Sequence, residues 1–189
     1  MMRIITGKAR GIRLDTLEGD RTRPTAERTK EAMFSMIQFN IEGRRVLDLF
    51  GGSGQLGLEA VSRGAAHAVI VDQAKEAVRV IERNVAKTRL GDDCTVVCAE
   101  FADFARSRRG RDAFDLVFLD PPYDMHAIPA AVEALLNARL LKPGALVVCE
   151  SAEPSPLGEN TALTGKFEVV REARYGKAYV TVLALSAQA

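Results

Sequence analysis

The chain has 189 residues, 47% of them hydrophobic, which is enough for one domain with a substantial buried core. Lysines and arginines number 26 and aspartates and glutamates 25, so the net charge of +1 gives by itself no indication of a nucleic-acid partner. There is no apolar run of 18 residues and no charged-then-apolar leader, which predicts a soluble, untargeted protein of the cytoplasm.

The basic residues are concentrated near the N-terminus. Residues 1–30 carry eight basic and four acidic side chains, a net charge of +4, so the remaining residues sum to −3. A basic arm on a slightly acidic body is the charge distribution expected of a surface that follows phosphates. An ordinary solvated hairpin has the same composition, so charge alone leaves both interpretations open.

The first predicted elements belong to an N-terminal extension. Residues 3–14 have the pattern of a two-stranded hairpin that turns near residues 9–11. A helix is predicted after it, with Thr25 as its N-cap and with Met33 and Ile37 on one apolar face.

Strand patterns dominate the rest of the chain. Five apolar runs alternate with helical patterns, which predicts a parallel sheet with right-handed crossovers, and two further runs around a glycine turn at residues 175–177 predict a hairpin. The seven predicted strands are 46–50, 68–72, 95–99, 114–120, 146–150, 167–171 and 178–184. The sequence therefore predicts one compact α/β unit, residues 41–189, behind an extension of residues 1–40.

The cysteines indicate a reducing environment, because their number is odd and Cys94, Cys98 and Cys149 all fall in strand-like runs. Cys94 and Cys98 share a strand face, so a two-ligand metal clip is conceivable. Only His67 and His126 are available to complete it, and neither is near in sequence. Buried thiols and no metal are therefore expected.

A glycine-rich turn joins the first predicted strand to the helix after it. Gly52, Gly54 and Gly57 satisfy G-x-G-x-x-G in the strand-to-helix context that this pattern requires. Small residues there let the backbone approach a nucleotide-like ligand closely. Asp72 ends the next strand, 18 residues beyond Gly54, and is placed to accept hydrogen bonds from both ribose hydroxyls. Dinucleotides and S-adenosylmethionine both fit this pattern.

Asp48 discriminates between these two cofactor classes. It lies inside the first predicted strand, four residues before Gly52. A carboxylate there would repel a pyrophosphate but attract the amino group and sulfonium of S-adenosylmethionine. The alternative role for Asp48 is a helix cap or a turn contact.

A second motif, Asp120-Pro121-Pro122-Tyr123, follows an apolar strand at the edge where α/β sheets bind ligands. The prolines remove two backbone donors, so the Asp120 carboxylate and the Pro121 carbonyl can accept the two hydrogens of an amino group. The Tyr123 ring can stack on a planar base. A simple turn, with the tyrosine packed beneath it, is the alternative. Together with Asp48, the motif favours methyl transfer to an amine.

The chain resembles the bacterial 16S ribosomal RNA guanine-N2 methyltransferases that modify guanine 966. The resemblance runs from residue 3 to about residue 183. The glycine turn and Asp-Pro-Pro-Tyr are shared by many amino methyltransferases and are weakly specific, whereas the stretch from Thr22-Arg23-Pro24-Thr25 to Phe34 is a strong signature. The other similar stretches are 3–11, 48–54, 56–60, 62–65, 120–123 and 175–176.

This resemblance implies a Rossmann-like, seven-stranded class I methyltransferase that uses S-adenosylmethionine. The implied reaction is methylation of a guanine 2-amino group in small-subunit ribosomal RNA, free or within an assembling subunit. Neither a membrane nor a metal is implied, and we expect a monomer. The catalytic candidates are Asp120, Pro121, Pro122 and Tyr123.

The remaining candidates bind the cofactor or RNA. The expected cofactor contacts are Asp48, Phe50, Gly51, Gly52, Ser53, Gly54, Asp72, Gln73, Glu100 and Phe101. Glu100 and Phe101 are expected beside the adenine, although Glu100 can instead cap the helix that follows it. The expected RNA contacts are Arg10, Arg13, Arg23, Arg28 and Tyr175, of which Arg23 and Arg28 rest on the resemblance alone.

Three other interpretations remain. Another nucleic-acid or protein amino methyltransferase can use the same Pro-Pro-aromatic motif, but its usual recognition domain has no room in this chain. A nicotinamide-dependent oxidoreductase shares the fold, yet it gives Asp48 and Asp120 no task. A non-catalytic RNA-binding protein on the same scaffold is disfavoured because donor-site and acceptor-site residues are both present.

Overall fold

The structure, a computed structural model, describes residues 2–17, 24–122, 127–159 and 161–186, with the backbone alone for residues 24–26. Seven strands form one sheet: β1 (Arg45–Asp48), β2 (His67–Asp72), β3 (Cys94–Cys98), β4 (Phe114–Leu119), β5 (Leu141–Ser151), β6 (Phe167–Tyr175) and β7 (Ala178–Leu185). Their order is β3-β2-β1-β4-β5-β7-β6. The first five run parallel and the last two form an antiparallel hairpin, which confirms the predicted α/β architecture.

Helices cover both faces of this sheet. They are α1 (Pro24–Met36), α2 (Gln55–Ser62), α3 (Lys75–Thr88), α4 (Phe101–Ser107), α5 (Ile128–Asn137) and α6 (Thr161–Thr164). Because side chains alternate along a strand, Leu47 faces the core that includes α4 and α5, whereas its neighbour Val46 faces the core that includes α1 and α2. Two apolar layers therefore hold the sheet between them.

The N-terminal segment, residues 2–17, is part of the second layer. Ile4, Ala9 and Leu14 are buried in the same cluster as Phe34 of α1 and Leu58 of α2. The segment folds back on itself, but its regular pairing is a single antiparallel bridge between residues 3 and 13. Backbone bonds do cross the segment, since the N–H groups of Ile4 and Leu14 donate to the carbonyls of Ile12 and Met2. The N–H groups of residues 5, 6 and 9 donate to side chains of α2 instead, which limits the regular pairing.

Several element ends differ from prediction, and three of the differences have a clear physical cause. Helix α1 begins at Pro24, so Thr25 lies inside the first turn and is not the N-cap; proline suits the first helical position because its missing N–H would have no partner there. Strand β5 begins at Leu141, five residues earlier than predicted, because Leu141 pairs with Phe114 across a register shift. Strand β6 continues to Tyr175, where the hairpin closes on Ala178.

The order of the strands changes side at β1, because β2 and β4 are its neighbours on opposite sides. Strands β2 and β3 extend the sheet on one side of β1, and β4 and β5 extend it on the other. Ligands bind outside the carboxyl ends of parallel strands at such a point. None of the helices in the described ranges combines the length and apolar character that a membrane span requires.

Candidate active site

A cavity of about 560 Å³ opens at the carboxyl ends of β1, β2 and β4. This volume is within the range of small-molecule sites, roughly 300–1,000 Å³. Ten of the predicted site residues line it: Phe50, Gly51, Gly52, Ser53, Asp72, Gln73, Phe101, Asp120, Pro121 and Pro122. The fold thus brings together the glycine turn, the ribose candidate and the described part of Asp-Pro-Pro-Tyr, which are far apart in sequence.

The glycine turn after β1 is shaped by its backbone. Gly52 has a φ of 56°, in the left-handed region that glycine adopts without strain. Its N–H donates to Asp72 Oδ2 at 2.8 Å, and the other carboxylate oxygen accepts from the N–H of Ala74 at 2.8 Å. These two bonds fix the Asp72 carboxylate at the cavity wall, where its remaining lone pairs can accept from a diol.

Two phenylalanines supply an apolar wall. Phe50 follows β1 and Phe101 begins α4, and their ring centroids are 5.8 Å apart with an angle of 52° between the planes. Both rings are half-buried and line the cavity. Such a surface suits the flat, apolar face of an adenine.

Asp48 lies beneath the turn and does not line the cavity. It is fully buried, and one oxygen accepts from the N–H of Gly57 at 2.9 Å, whereas Oδ1 has no hydrogen-bond partner among the described residues. Burial raises the pKa of Asp48 to about 7, against the lowering effect of the Gly57 N–H and with a smaller raising effect of the Asp72 carboxylate. Asp48 therefore holds the start of α2 against β1, through a turn contact.

Replacing Asp48 with asparagine should change how stability depends on pH. The folded-state pKa of Asp48 is raised above the unfolded value of 3.8, so the wild type loses stability as pH rises from about 4 to about 7. Asparagine cannot ionise, so the variant should gain stability relative to the wild type over that window, by on the order of 4 kcal/mol. Urea unfolding at pH 4.5 and pH 8 measures this; an exposed replacement, Asp92→Asn, is the control. A constant difference between Asp48→Asn and wild type across that window would show that folding does not raise the pKa of Asp48.

Two other predicted cofactor residues also lie off the wall. The Glu100 carboxylate accepts from the N–H groups of Ala102 and Asp103 at 2.8 and 3.3 Å, so it caps α4. Gly54 has a φ of 78° and forms the left-handed N-cap of α2. Gly54 thus fixes the start of α2 and Glu100 the start of α4, and the first residues of both helices line the cavity.

The acceptor side of the site is at the end of β4. Asp120 is half-buried there, Pro121 is buried and Pro122 is exposed, and all three line the cavity. The Asp120 side chain therefore shares one cavity with the Asp72 carboxylate. Tyr123 lies outside the described residues.

The N-terminal segment closes one side of the cavity, which the sequence did not predict. Met2 and Leu17 line the wall, and the Ser53 hydroxyl donates to the Met2 sulfur at 3.0 Å. The buried Asn84 side chain connects the two parts, because its Nδ2 donates to the carbonyl oxygens of Asp15 and Ser53, each at 2.9 Å. The segment and the glycine turn are thus fixed to one side chain of α3.

Glu59 of α2 holds the same segment, and sequence reasoning gave it no role. It is fully buried, and its carboxylate accepts from the N–H groups of Ile5 and Thr6 at 2.8 and 3.0 Å and from Arg63 Nε at 2.8 Å. Lys30 Nζ of α1 is 3.5 Å from Glu59 Oε2. Burial lowers the pKa of Lys30, although the nearby Glu59 carboxylate acts to raise it. A single charged residue in a helix that is otherwise mostly apolar is a sequence signal for such a buried network.

The predicted RNA contacts are dispersed. Arg10 and Arg13 are exposed on the N-terminal segment, and Arg28 is exposed on α1. Tyr175 is half-buried against the core cluster of α1 and α2 and does not line the cavity. Arg23 lies outside the described residues.

One expectation about the cysteines is wrong. Cys149 is buried and Cys94 is half-buried, with burial raising the pKa of Cys94 to about 12, but Cys98 is exposed because it ends the edge strand β3. Over the described ranges, no group of three or more histidine, cysteine or acidic side chains is arranged to hold a metal ion.

The chain is similar to several known proteins. A putative rRNA methyltransferase of Bacillus subtilis, YlbH, is 34% identical, over 96% of this chain and 97% of its own. Ribosomal RNA small subunit methyltransferase D of Haemophilus influenzae is 33% identical, over 82% of this chain and 81% of its own. The solved structure of the putative methyltransferase yhhF of Escherichia coli superposes with a TM-score of 0.84 at 28% identity, covering 99% of both chains.

A more distant structure shares only the fold. The putative methyltransferase SMU.776, solved with S-adenosylhomocysteine, has a TM-score of 0.70 at 16% identity and covers 82% of this chain and 48% of its own. The sheet order, with the cavity at the point where the strand order changes side, is that of a class I S-adenosylmethionine-dependent methyltransferase. The chain belongs to the conserved hypothetical protein 95 family, which matches residues 2–184. It is an S-adenosylmethionine-dependent methyltransferase of the same family as ribosomal RNA small subunit methyltransferase D.

Proposed function

We propose that this protein methylates the exocyclic 2-amino group of a guanine in small-subunit ribosomal RNA, free or in an assembling subunit. The main support for the proposal is that Asp120 and Pro121 line the same cavity as Asp72 and the glycine turn. The names of the relatives from Bacillus and Haemophilus support an RNA substrate, and guanine 966 is the nucleotide indicated by the family resemblance. Such a substrate implies action in the cytoplasm.

The donor half of the cavity suits the proposed cofactor. S-adenosylmethionine supplies a methyl group activated by a sulfonium. Asp72 would accept from the ribose hydroxyls, Phe50 and Phe101 would contact the adenine, and the Gly51–Gly54 turn would surround the methionine part. Asp48 and Glu100 would act indirectly, since Asp48 fixes the start of α2 and Glu100 caps α4.

The acceptor half suits a weakly nucleophilic amine. The nitrogen lone pair of an exocyclic amine is delocalised into the ring, so both amine hydrogens must be held to direct that pair at the methyl carbon. Asp120 and the Pro121 carbonyl can accept them. In such a transfer the methyl–sulfur bond would break as the N–C bond forms, with S-adenosylhomocysteine as the leaving group, and the Asp120 carboxylate would stabilise the positive charge that develops on nitrogen. The methylated nitrogen then loses its extra proton to water.

Arg10 and Arg13 are proposed phosphate contacts, since both are exposed on the basic N-terminal segment. Replacing either with glutamine should lower the slope of log affinity against log salt by about 0.7–0.9 while cofactor affinity stays unchanged. Arg89→Gln, an exposed change at the far end of α3, is the matched control. Filter binding to small-subunit RNA at several salt concentrations measures the slopes. Equal slopes for all three variants and wild type would remove the phosphate role.

The proposed function is tested with purified protein, labelled S-adenosylmethionine and small-subunit RNA lacking the modification. Digestion to nucleosides should yield labelled N2-methylguanosine. Label in another nucleoside, or in added protein only, would replace the substrate. Binding of RNA without any transfer would support the non-catalytic alternative.

A further inference from the structure

A second cavity lies on the other side of the Asp120 loop. Its volume is about 180 Å³, and it shares three lining residues with the first: Pro121, Pro122 and Glu150. Further proline walls come from the start of α5 and from the loop after β5, at Pro129 and Pro154. The two cavities therefore meet at Pro121, one of the two residues proposed to bind the amine, and Asp120 lines the first cavity beside that junction.

The second cavity has the size and lining of a site for one flat ring. It is smaller than the roughly 300 Å³ at which nucleotide-sized pockets begin. Proline rings present apolar faces and no backbone N–H groups, so they can contact the faces of a base without competing for its polar edge. The side chains with hydrogen-bonding atoms in this lining are Glu150, Ser151, Glu153 and Ser155, and of these only Glu150 also lines the first cavity.

Glu150 is placed to supply that recognition. Strands β4 and β5 run parallel with Leu119 beside Cys149, so Asp120 and Glu150 are the next residues along the two chains. Neighbouring strands lie about 4.8 Å apart, and side chains that follow them can reach adjacent atoms on one edge of a base. Glu150 is half-buried and lines both cavities.

The chemistry of the two purines makes a carboxylate here selective. Guanine presents two adjacent donors on this edge, the N1–H and the 2-amino group, whereas N1 of adenine is an acceptor. An ionised glutamate only accepts hydrogen bonds. A site that presents an acceptor to the N1–H strongly disfavours a base that lacks this donor, because two acceptors then face each other.

We propose that the second cavity receives the target base and that Glu150 accepts its N1–H, which makes Glu150 the residue that selects guanine. This inference rests on the proposed function. In this arrangement Asp120 and Pro121 accept the hydrogens of the 2-amino group, and Glu150 accepts the hydrogen of the neighbouring ring nitrogen.

The test compares RNA carrying guanine at the target position with RNA carrying 2-aminopurine, which keeps the 2-amino group but has an acceptor at N1. The wild type should transfer methyl to guanine about 10- to 100-fold faster than to 2-aminopurine. Glu150→Gln should reduce this ratio to near one or invert it, because its amide can donate to N1 of 2-aminopurine. Glu133→Gln, an equal charge change at an exposed position of α5, should keep the wild-type ratio.

The possible results distinguish a failure of the role of Glu150 from a failure of the proposed function. Equal wild-type transfer to both RNAs would overturn the role of Glu150, and this measurement needs no variant to fold. An unchanged ratio in a Glu150→Gln protein that binds S-adenosylhomocysteine normally would also overturn it, because a purely structural role lowers both rates together. Transfer to neither RNA by the wild type would contradict the proposed function itself.

Discussion

Asp120→Ala should reduce the single-turnover rate of methyl transfer by about 10²–10³-fold, the usual effect of removing one group that stabilises charge in a transition state. The charge on the amine nitrogen develops only during transfer, so binding of S-adenosylhomocysteine and of RNA should change much less than the rate. Single-turnover transfer of labelled methyl, run beside equilibrium binding of both ligands, separates the two effects.

Asp120→Asn refines this experiment because it keeps the shape and one acceptor but removes the charge. It should lie between wild type and Asp120→Ala in rate. Near-normal transfer by the alanine variant would make Asp120 an ordinary turn residue. A loss of cofactor affinity in proportion to the rate would assign it to the donor pocket instead.

Gly7→Ala should destabilise the protein by several kcal/mol, because the alanine side chain has no room at this position. A Cβ at Gly7 would lie 1.7 Å from the carbonyl oxygen of Ser62, and its φ of 87° is strained for alanine. The Lys8 N–H also donates to that same oxygen at 2.8 Å, so the segment cannot shift without losing a bond to α2. Chemical unfolding measures the loss.

Gly11→Ala is the matched control for Gly7→Ala. Gly11 has a similar φ of 84°, but a Cβ there meets no atom within 4 Å, so only the conformational strain of about 1–2 kcal/mol should appear. Gly7→Ala should also weaken S-adenosylhomocysteine binding, because the segment carries Met2 and Leu17 to the cavity wall. Equal effects of the two variants on stability and binding would show that contact of the segment with α2 is unimportant.

Local patterns were sufficient to predict the sheet and to name many of the residues that line the cavity. Gly52 and Asp72 follow neighbouring strands, and the structure places the N–H of one against the carboxylate of the other. Asp120 follows a third strand, so its position at the same edge was implied by strand direction alone. These predictions needed only periodicity and the rule that parallel strands end together.

Long-range contacts were not predictable in this way. Glu59 and Asn84 bind backbone atoms of the N-terminal segment more than 50 residues away, and no local pattern specifies such partners. Asp48 has the residue type for a cation contact, but its burial beneath Gly57 depends on how closely α2 approaches β1. Glu150 lies one residue before the end of β5 without a surrounding motif, so only the two cavities that it lines mark it.

The central claim, methylation of a guanine 2-amino group in small-subunit RNA, is tested most directly by mass-spectrometric mapping of that RNA from cells lacking this protein. We expect one N2-methylguanine, at the position equivalent to guanine 966, to disappear and to return when the wild-type chain is supplied, but not when Asp120→Ala is supplied. A modification map that is identical with and without the protein would contradict the account.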